Sequence, residues 1–317
     1  MPRYDSKNLS TRGLFFGNVR LIGESTVMPR LVPKENVLEG PPPAKSRYQL
    51  SNLNDYVVAI LIALVLIVFY GGYYWIQRNY LLNAPQGVDP LSVPDKVIAV
   101  VGMTLLAFTF LIGPIYRYFD AFDYLLQYRK EIGIVGGFFA LFHPVMAYFF
   151  LPLTFPEVPL TSVTYGTGLV GSLVVIFLTF ISFQNAIILL GANRWWFLHR
   201  FGLRLVILFA LIHFFCIEWD TWVQWLTQSA PKPDAELPSP WMPEPTIFAG
   251  LFAVWVVIVR LYETVFLYGD LGLKPKEIAA DANLRLRGRR FFIYSFGVLI
   301  ACNVVVFTRW IYYVSIR

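Results

Sequence analysis

Trp195-Trp196-Phe197-Leu198-His199-Arg200-Phe201-Gly202-Leu203-Arg204-Leu205-Val206-Ile207-Leu208-Phe209-Ala210-Leu211-Ile212-His213-Phe214-Phe215 decides the fold. Arginines and histidines alone interrupt its apolar side chains, and a helix needs about 20 apolar residues to cross a bilayer. Six further stretches share this character, which places seven spans at roughly 56–76, 97–117, 132–152, 166–189, 196–217, 246–268 and 291–313. The first, Tyr56–Ile76, carries no charge and ends in Tyr73, Tyr74 and Trp75. The seventh contains Asn303 and, near its end, Arg309, which is placed to snorkel to the interface. No stretch alternates apolar and polar residues, so strands are excluded. The expected fold is all-α, a membrane bundle of about seven transmembrane helices.

Composition agrees. Of 317 residues, 57% are hydrophobic, 17% aromatic and only 15% charged, against roughly 25% charged in a soluble domain. This excludes nucleic-acid binding, disorder and a secreted disulfide scaffold as leading readings. Cys216 and Cys302 are too few for a disulfide framework or a cysteine metal site. The net charge of +6 reads as membrane topology rather than as a site for a polyanion.

Before the first span lies a polar, basic tail, residues 1–55, ending its Pro-rich part at Gly40-Pro41-Pro42-Pro43. It lacks the apolar core and cleavage site of a signal peptide, and it is too poor in apolar periodicity to fold alone. An extended segment lying on the membrane or on a partner is expected.

Lysines and arginines orient the bundle. The tail has eight; the loop after span 2 adds Arg117, Arg129 and Lys130, the loop after span 4 and the start of span 5 add Arg194, Arg200 and Arg204, and the loop after span 6 adds Lys274, Lys276, Arg285, Arg287, Arg289 and Arg290. The opposite loops hold Arg78, Lys96 and Lys232 against eight acidic residues. A cytoplasmic N-terminus and an outer C-terminus follow.

All three histidines of the chain, His143, His199 and His213, fall in or beside spans 3 and 5. An ionisable side chain in hydrocarbon is costly and marks function by default; the bland alternative is a neutral histidine bonded to a neighbouring helix. His199 and His213 stand 14 residues apart, about 40° from the same helix face and roughly 21 Å along the axis. That suits cofactors stacked across a bilayer and excludes a shared single metal. Haem b is the natural group, because histidine is a haem axial ligand. By depth, His143 lies nearer to His213, which makes these two the expected pair around an outer haem between spans 3 and 5. Pro144, next to His143, is expected to kink the helix and open room there.

Arg129-Lys130-Glu131-Ile132-Gly133 leading to Phe142-His143, with Asn185-Ala186, Leu190-Gly191 and Trp195-Trp196-Phe197-Leu198-His199-Arg200 leading to His213, resembles the ferric-reductase-like transmembrane superfamily. Within it, the chain looks most like the haem-binding membrane subunit of the bacterial periplasmic methionine sulfoxide reductase system; ferric reductases and NADPH oxidases are more distant. The likeness covers roughly residues 57–265. It implies b-type haem on His143, His199 and His213 and electron transfer across the membrane. The oxidases and ferric reductases have two histidines on each helix, whereas Arg129 or Lys130 stands at the fourth position here. One haem is therefore expected and a second is open: His199 either ligates an inner haem with another kind of partner, sits by a quinone or flavin, or is an interfacial residue. Arg200 and Arg204 are candidate partners for haem propionates, or snorkel to headgroups.

The expected division is a tail (1–55), a six-span haem domain (56–268), and a basic loop with an additional seventh span (269–317). Arg260 and Glu263, three apart in span 6, are expected to pair. Four arginines within Leu284–Arg290 suit anionic membrane lipids. The loop 218–245, acidic and rich in Trp and Pro, reads either as an interfacial Trp belt or as a dock for a periplasmic protein acceptor. No Gly-x-Gly-x-x-Gly fingerprint is expected and no loop is long enough to hold a flavin or nucleotide domain, so the donor is expected to be a quinol, a reduced flavin or a separate protein. The function expected is an oxidoreductase subunit, a haem electron carrier within a larger redox complex. The alternative is a structural or assembly subunit whose histidines are inert.

Overall fold

The chain divides into Met1–Ser46 and Arg47–Arg317. The computed structural model describes residues 53–77, 91–119, 122, 124–150, 163–182, 184–227, 242–267 and 281–315, all within the second unit. Residues 1–52 of the expected extended tail, Lys274, Lys276 and residues 228–241 of the expected docking loop lie outside the described residues.

Among the described residues every regular element is helical: α1 (Leu53–Ile76), α2 (Ser92–Tyr118), α3 (Leu125–Val145), α4 (Val163–Ile181), α5 (Gln184–Leu190), α6 (Ala192–Thr227), α7 (Pro245–Tyr262) and α8 (Ala282–Ser315). Seven of these, all but the short α5, are long and apolar enough to cross a membrane. Single π-helical turns follow α3 at Met146–Phe150 and α7 at Glu263–Leu267. The helix thus runs through Pro144 and widens just beyond it, the Met146 N–H reaching both the His143 and Phe142 carbonyls.

α2 is the most enclosed helix and α8 the least. α2 and α3 run antiparallel at close range because glycines leave the backbones bare. A Cβ on Gly102 would stand 2.9 Å from the Ala140 nitrogen, and one on Gly136 would stand 2.9 Å from Leu105 Cβ. Such small-residue seams hold membrane helices where the lipid supplies no hydrophobic drive. α4 and α6 form a second antiparallel pair, with Leu178 packed on Gly202 and Phe209 on Gly171. Gly191, at φ 74°, turns the short corner from α5 into α6, a left-handed conformation that glycine adopts without steric cost.

Several charges expected in loops lie inside the bundle. Arg117 is buried near the end of α2, where it meets Glu263, and Glu263 also meets Arg260. The second Arg117–Glu263 contact, from Nη2 to Oε2, is 2.7 Å. The Arg260–Glu263 pair is present, with a third member that hydropathy assigned to a loop. Glu263 is fully buried, so both guanidiniums are needed to hold its charge.

The long helix α6 corrects the loop 218–245. It runs to Thr227, so Trp219, Trp222 and Trp225 are helical. Trp222 and Trp225 pack in the core with Ile247 and Val306 instead of forming an interfacial belt, while Trp219 is exposed. Arg309 does more than snorkel: its Nε donates to the Trp225 carbonyl at 3.2 Å, and its guanidinium lies 5.9 Å from the Trp225 ring centre. Asn303 satisfies itself on the Leu299 carbonyl one turn back, at 2.7 Å. α8 is fastened to α7 by aromatic contacts, Tyr262 stacking on Phe291 at 3.7 Å and Trp255 bonding Ser295 at 3.0 Å.

Candidate functional site

The two helix pairs each bring one histidine forward. Asp95 sits in the first turn of α2, a favourable end for a carboxylate, and the antiparallel seam sets it beside His143 near the end of α3. His143 Nδ1 donates to Asp95 Oδ1 at 2.8 Å, and Asp95 is buried. On the other pair, His213 Nδ1 donates to the Thr164 carbonyl at 2.7 Å. Gly168, one turn further along α4, makes room for that ring: a Cβ there would stand 2.8 Å from His213 Nδ1.

His143 and His213 lie side by side, edge to face, with ring centres 6.2 Å apart and planes turned by 62°. Both Nδ1 atoms are committed to oxygen acceptors, which fixes each proton on Nδ1 and leaves each Nε2 as the lone-pair nitrogen. Neither Nε2 has a hydrogen-bond partner among the described residues. This is the state in which histidines bind metals, with the second ring nitrogen donating to a carboxylate or a backbone carbonyl.

The separation also suits one iron between them. With metal–nitrogen bonds of about 2.0–2.1 Å, two imidazoles at this spacing would both reach one metal ion. The donor set therefore fits a haem with two imidazole ligands. A metal held by protein alone has less to work with, since no group of three or more His, Cys, Asp or Glu side chains gathers among the described residues.

His199 stands apart from this pair, toward the other end of α6. Its ring packs on Trp195 at 4.3 Å, and the Trp195 indole N–H is held by the Ile181 carbonyl at 2.6 Å. His199 Nε2 is enclosed by protein and has no partner among the described residues. Arg129 and Lys130 on α3 lie within electrostatic reach of the ring, and Arg129 Nε is anchored on the Thr109 carbonyl at 3.1 Å. Arg200 and Arg204 lie half-buried nearby on α6.

Three parts of the site are absent from the sequence reading. Asp95 counts there as a loop acid, although a carboxylate at the mouth of an apolar span, in a chain with two histidine-bearing spans, is itself a signal. The Thr164 contact uses a backbone carbonyl, which no side-chain pattern reveals. Gly166-Thr167-Gly168-Leu169-Val170-Gly171 has the glycine spacing of a dinucleotide fingerprint, which corrects the expectation that the chain carries no such pattern. Here it lies wholly inside α4, whereas that motif requires the glycines to form the turn from a strand into a helix. Gly168 serves instead to seat His213.

No protein-family model matches the chain, and no curated protein matches it.

Proposed function

We propose that the chain is a transmembrane electron-transfer subunit that carries haem b between α3 and α6, where His143 and His213 would hold its iron. The observation that carries this reading is the edge-to-face imidazole pair at 6.2 Å with both Nδ1 atoms held by acceptors. The resemblance of the histidine-bearing segments to the ferric-reductase-like superfamily rests on the same histidines and agrees with it. When bound, haem supplies a one-electron couple within the bilayer.

The chain's own residues do the rest. Asp95 and the Thr164 carbonyl orient the imidazoles and raise their basicity. Gly168 lets the His213 ring lie flat on α4. Arg200 and Arg204 are cations on the His199 half of α6 and the candidate partners for anionic groups at that end. Under the orientation drawn from the basic residues, the His143–His213 end faces outward in a bacterial inner membrane. Electrons then pass from a cytoplasmic-side or quinol donor to an outer-side acceptor, in company with partner subunits of a redox complex.

A reduced-minus-oxidised absorption spectrum of protein purified after haem-replete expression tests the proposal. The sharp α-band of a low-spin b-type haem is expected. A stably folded protein without Soret absorbance would refute it and leave a structural or assembly subunit as the better reading.

A further inference from the structure

The resemblance to the ferric-reductase-like superfamily leaves a second haem at His199 open. We infer that the chain holds one haem, and that His199 is a packing residue of the corner where α4, α5 and α6 meet. This rests on the haem reading above and sharpens it.

The three histidines differ in a way that bears on ligation. An iron ligand must offer a ring nitrogen to the metal. All three side chains are half-buried, but neither the His143 nor the His213 Nε2 is an enclosed, unpartnered atom among the described residues. His199 Nε2 is enclosed by protein atoms. For an iron to reach it, the enclosing protein atoms would have to move, and the ring packs on Trp195, which is itself pinned by its indole N–H to the Ile181 carbonyl at 2.6 Å. Ligation there would unmake the corner.

The opposite side offers no second imidazole. The chain has three histidines, and two are already paired. The α3 side chains within electrostatic reach of His199 are Arg129 and Lys130, which are cations with no lone pair to give while charged. Arg129 is also tied back toward α2 by its bond to the Thr109 carbonyl. His213 cannot serve both positions, because about 21 Å of helix separates it from His199. The corner has its own structural logic: Gly191 turns the chain at φ 74°, Trp195 latches α6 to the end of α4, and His199 fills the space beneath the indole.

The test is haem per polypeptide, measured by the pyridine haemochrome method against protein from amino-acid analysis. The expected ratio is one for the unmodified chain, and one again for His199→Ala and for His199→Phe, which keeps an aromatic ring against Trp195. The expected loss in His199→Ala is thermal stability, restored at least partly in His199→Phe. A ratio of two, or removal of one spectral component by His199→Phe with another remaining, would overturn the single-haem inference while leaving the haem function intact. A ratio of zero in the unmodified chain would overturn the proposed function, and the single-haem count would fall with it.

Discussion

Asp95 is the residue on which the orientation of His143 depends. Its carboxylate accepts the Nδ1 proton at 2.8 Å from a buried position, and loss of such a partner typically costs roughly 10–100-fold in metal affinity. Asp95→Ala should therefore release haem to an excess of apoglobin more readily by about that factor; unchanged retention would remove Asp95 from the site. Gly168 gives a sharper steric test. Gly168→Ala would drive a methyl to within 2.8 Å of His213 Nδ1, whereas a Cβ on Gly166 meets nothing within 4 Å. The expected result is a lost or shifted haem spectrum for Gly168→Ala and a normal one for Gly166→Ala. Identical spectra would show that His213 does not need its seat on α4. The histidines themselves were legible in the sequence because a polar ring is conspicuous in an apolar span. Their partners were not. Asp95 lies 48 residues from His143, and the Thr164 carbonyl lies 49 from His213; contacts that distant depend on which helices pack together, which composition does not encode.

At the scale of elements, hydropathy located the helices well and their ends poorly. It measures what a side chain costs in lipid, so it ends a span at a charge and takes no account of a partner inside the protein. Arg117 was therefore assigned to a loop, although Glu263 receives it, and α6 was stopped before Glu218, although that helix continues to Thr227. Glu218 is buried there and accepts a hydrogen bond from Thr246 at 3.1 Å, and Thr246 in turn accepts one from the Trp222 indole at 3.1 Å. The Arg117–Glu263–Arg260 cluster ties α2 to α7, and breaking a buried ion pair by removing one partner costs roughly 3–5 kcal/mol. Glu263→Ala should destabilise the detergent-solubilised protein by an amount of that order, read from thermal unfolding. A loss below about 1 kcal/mol, as for an exposed pair, would mean that the two guanidiniums find water without it.

At the scale of the whole molecule, the seven long apolar helices read as a multi-span bundle, and the sidedness rests on the basic residues. Removing the buried Arg117 from the cytoplasmic tally, and the buried Asp95 and Glu218 from the outer acids, leaves the asymmetry in place. A cysteine at Ser229, after replacement of Cys216 and Cys302, should react with an impermeant label added from outside intact cells. Reaction only from the cytoplasmic side would invert the orientation and put the His143–His213 pair in the inner leaflet. The architecture also accounts for what the site needs. Two antiparallel pairs, α2 with α3 and α4 with α6, each fix one imidazole through a neighbouring helix, so the two rings are held across the gap by four helices rather than two.

The central claim is that His143 and His213 bind one iron, and low-temperature electron paramagnetic resonance of the oxidised protein tests it most directly. The unmodified chain should give a low-spin ferric signal of the kind two imidazoles produce. His143→Ala and His213→Ala should each convert that same signal to high-spin or lose the haem. A high-spin signal in the unmodified chain, or a low-spin signal that survives either substitution, would contradict the pairing.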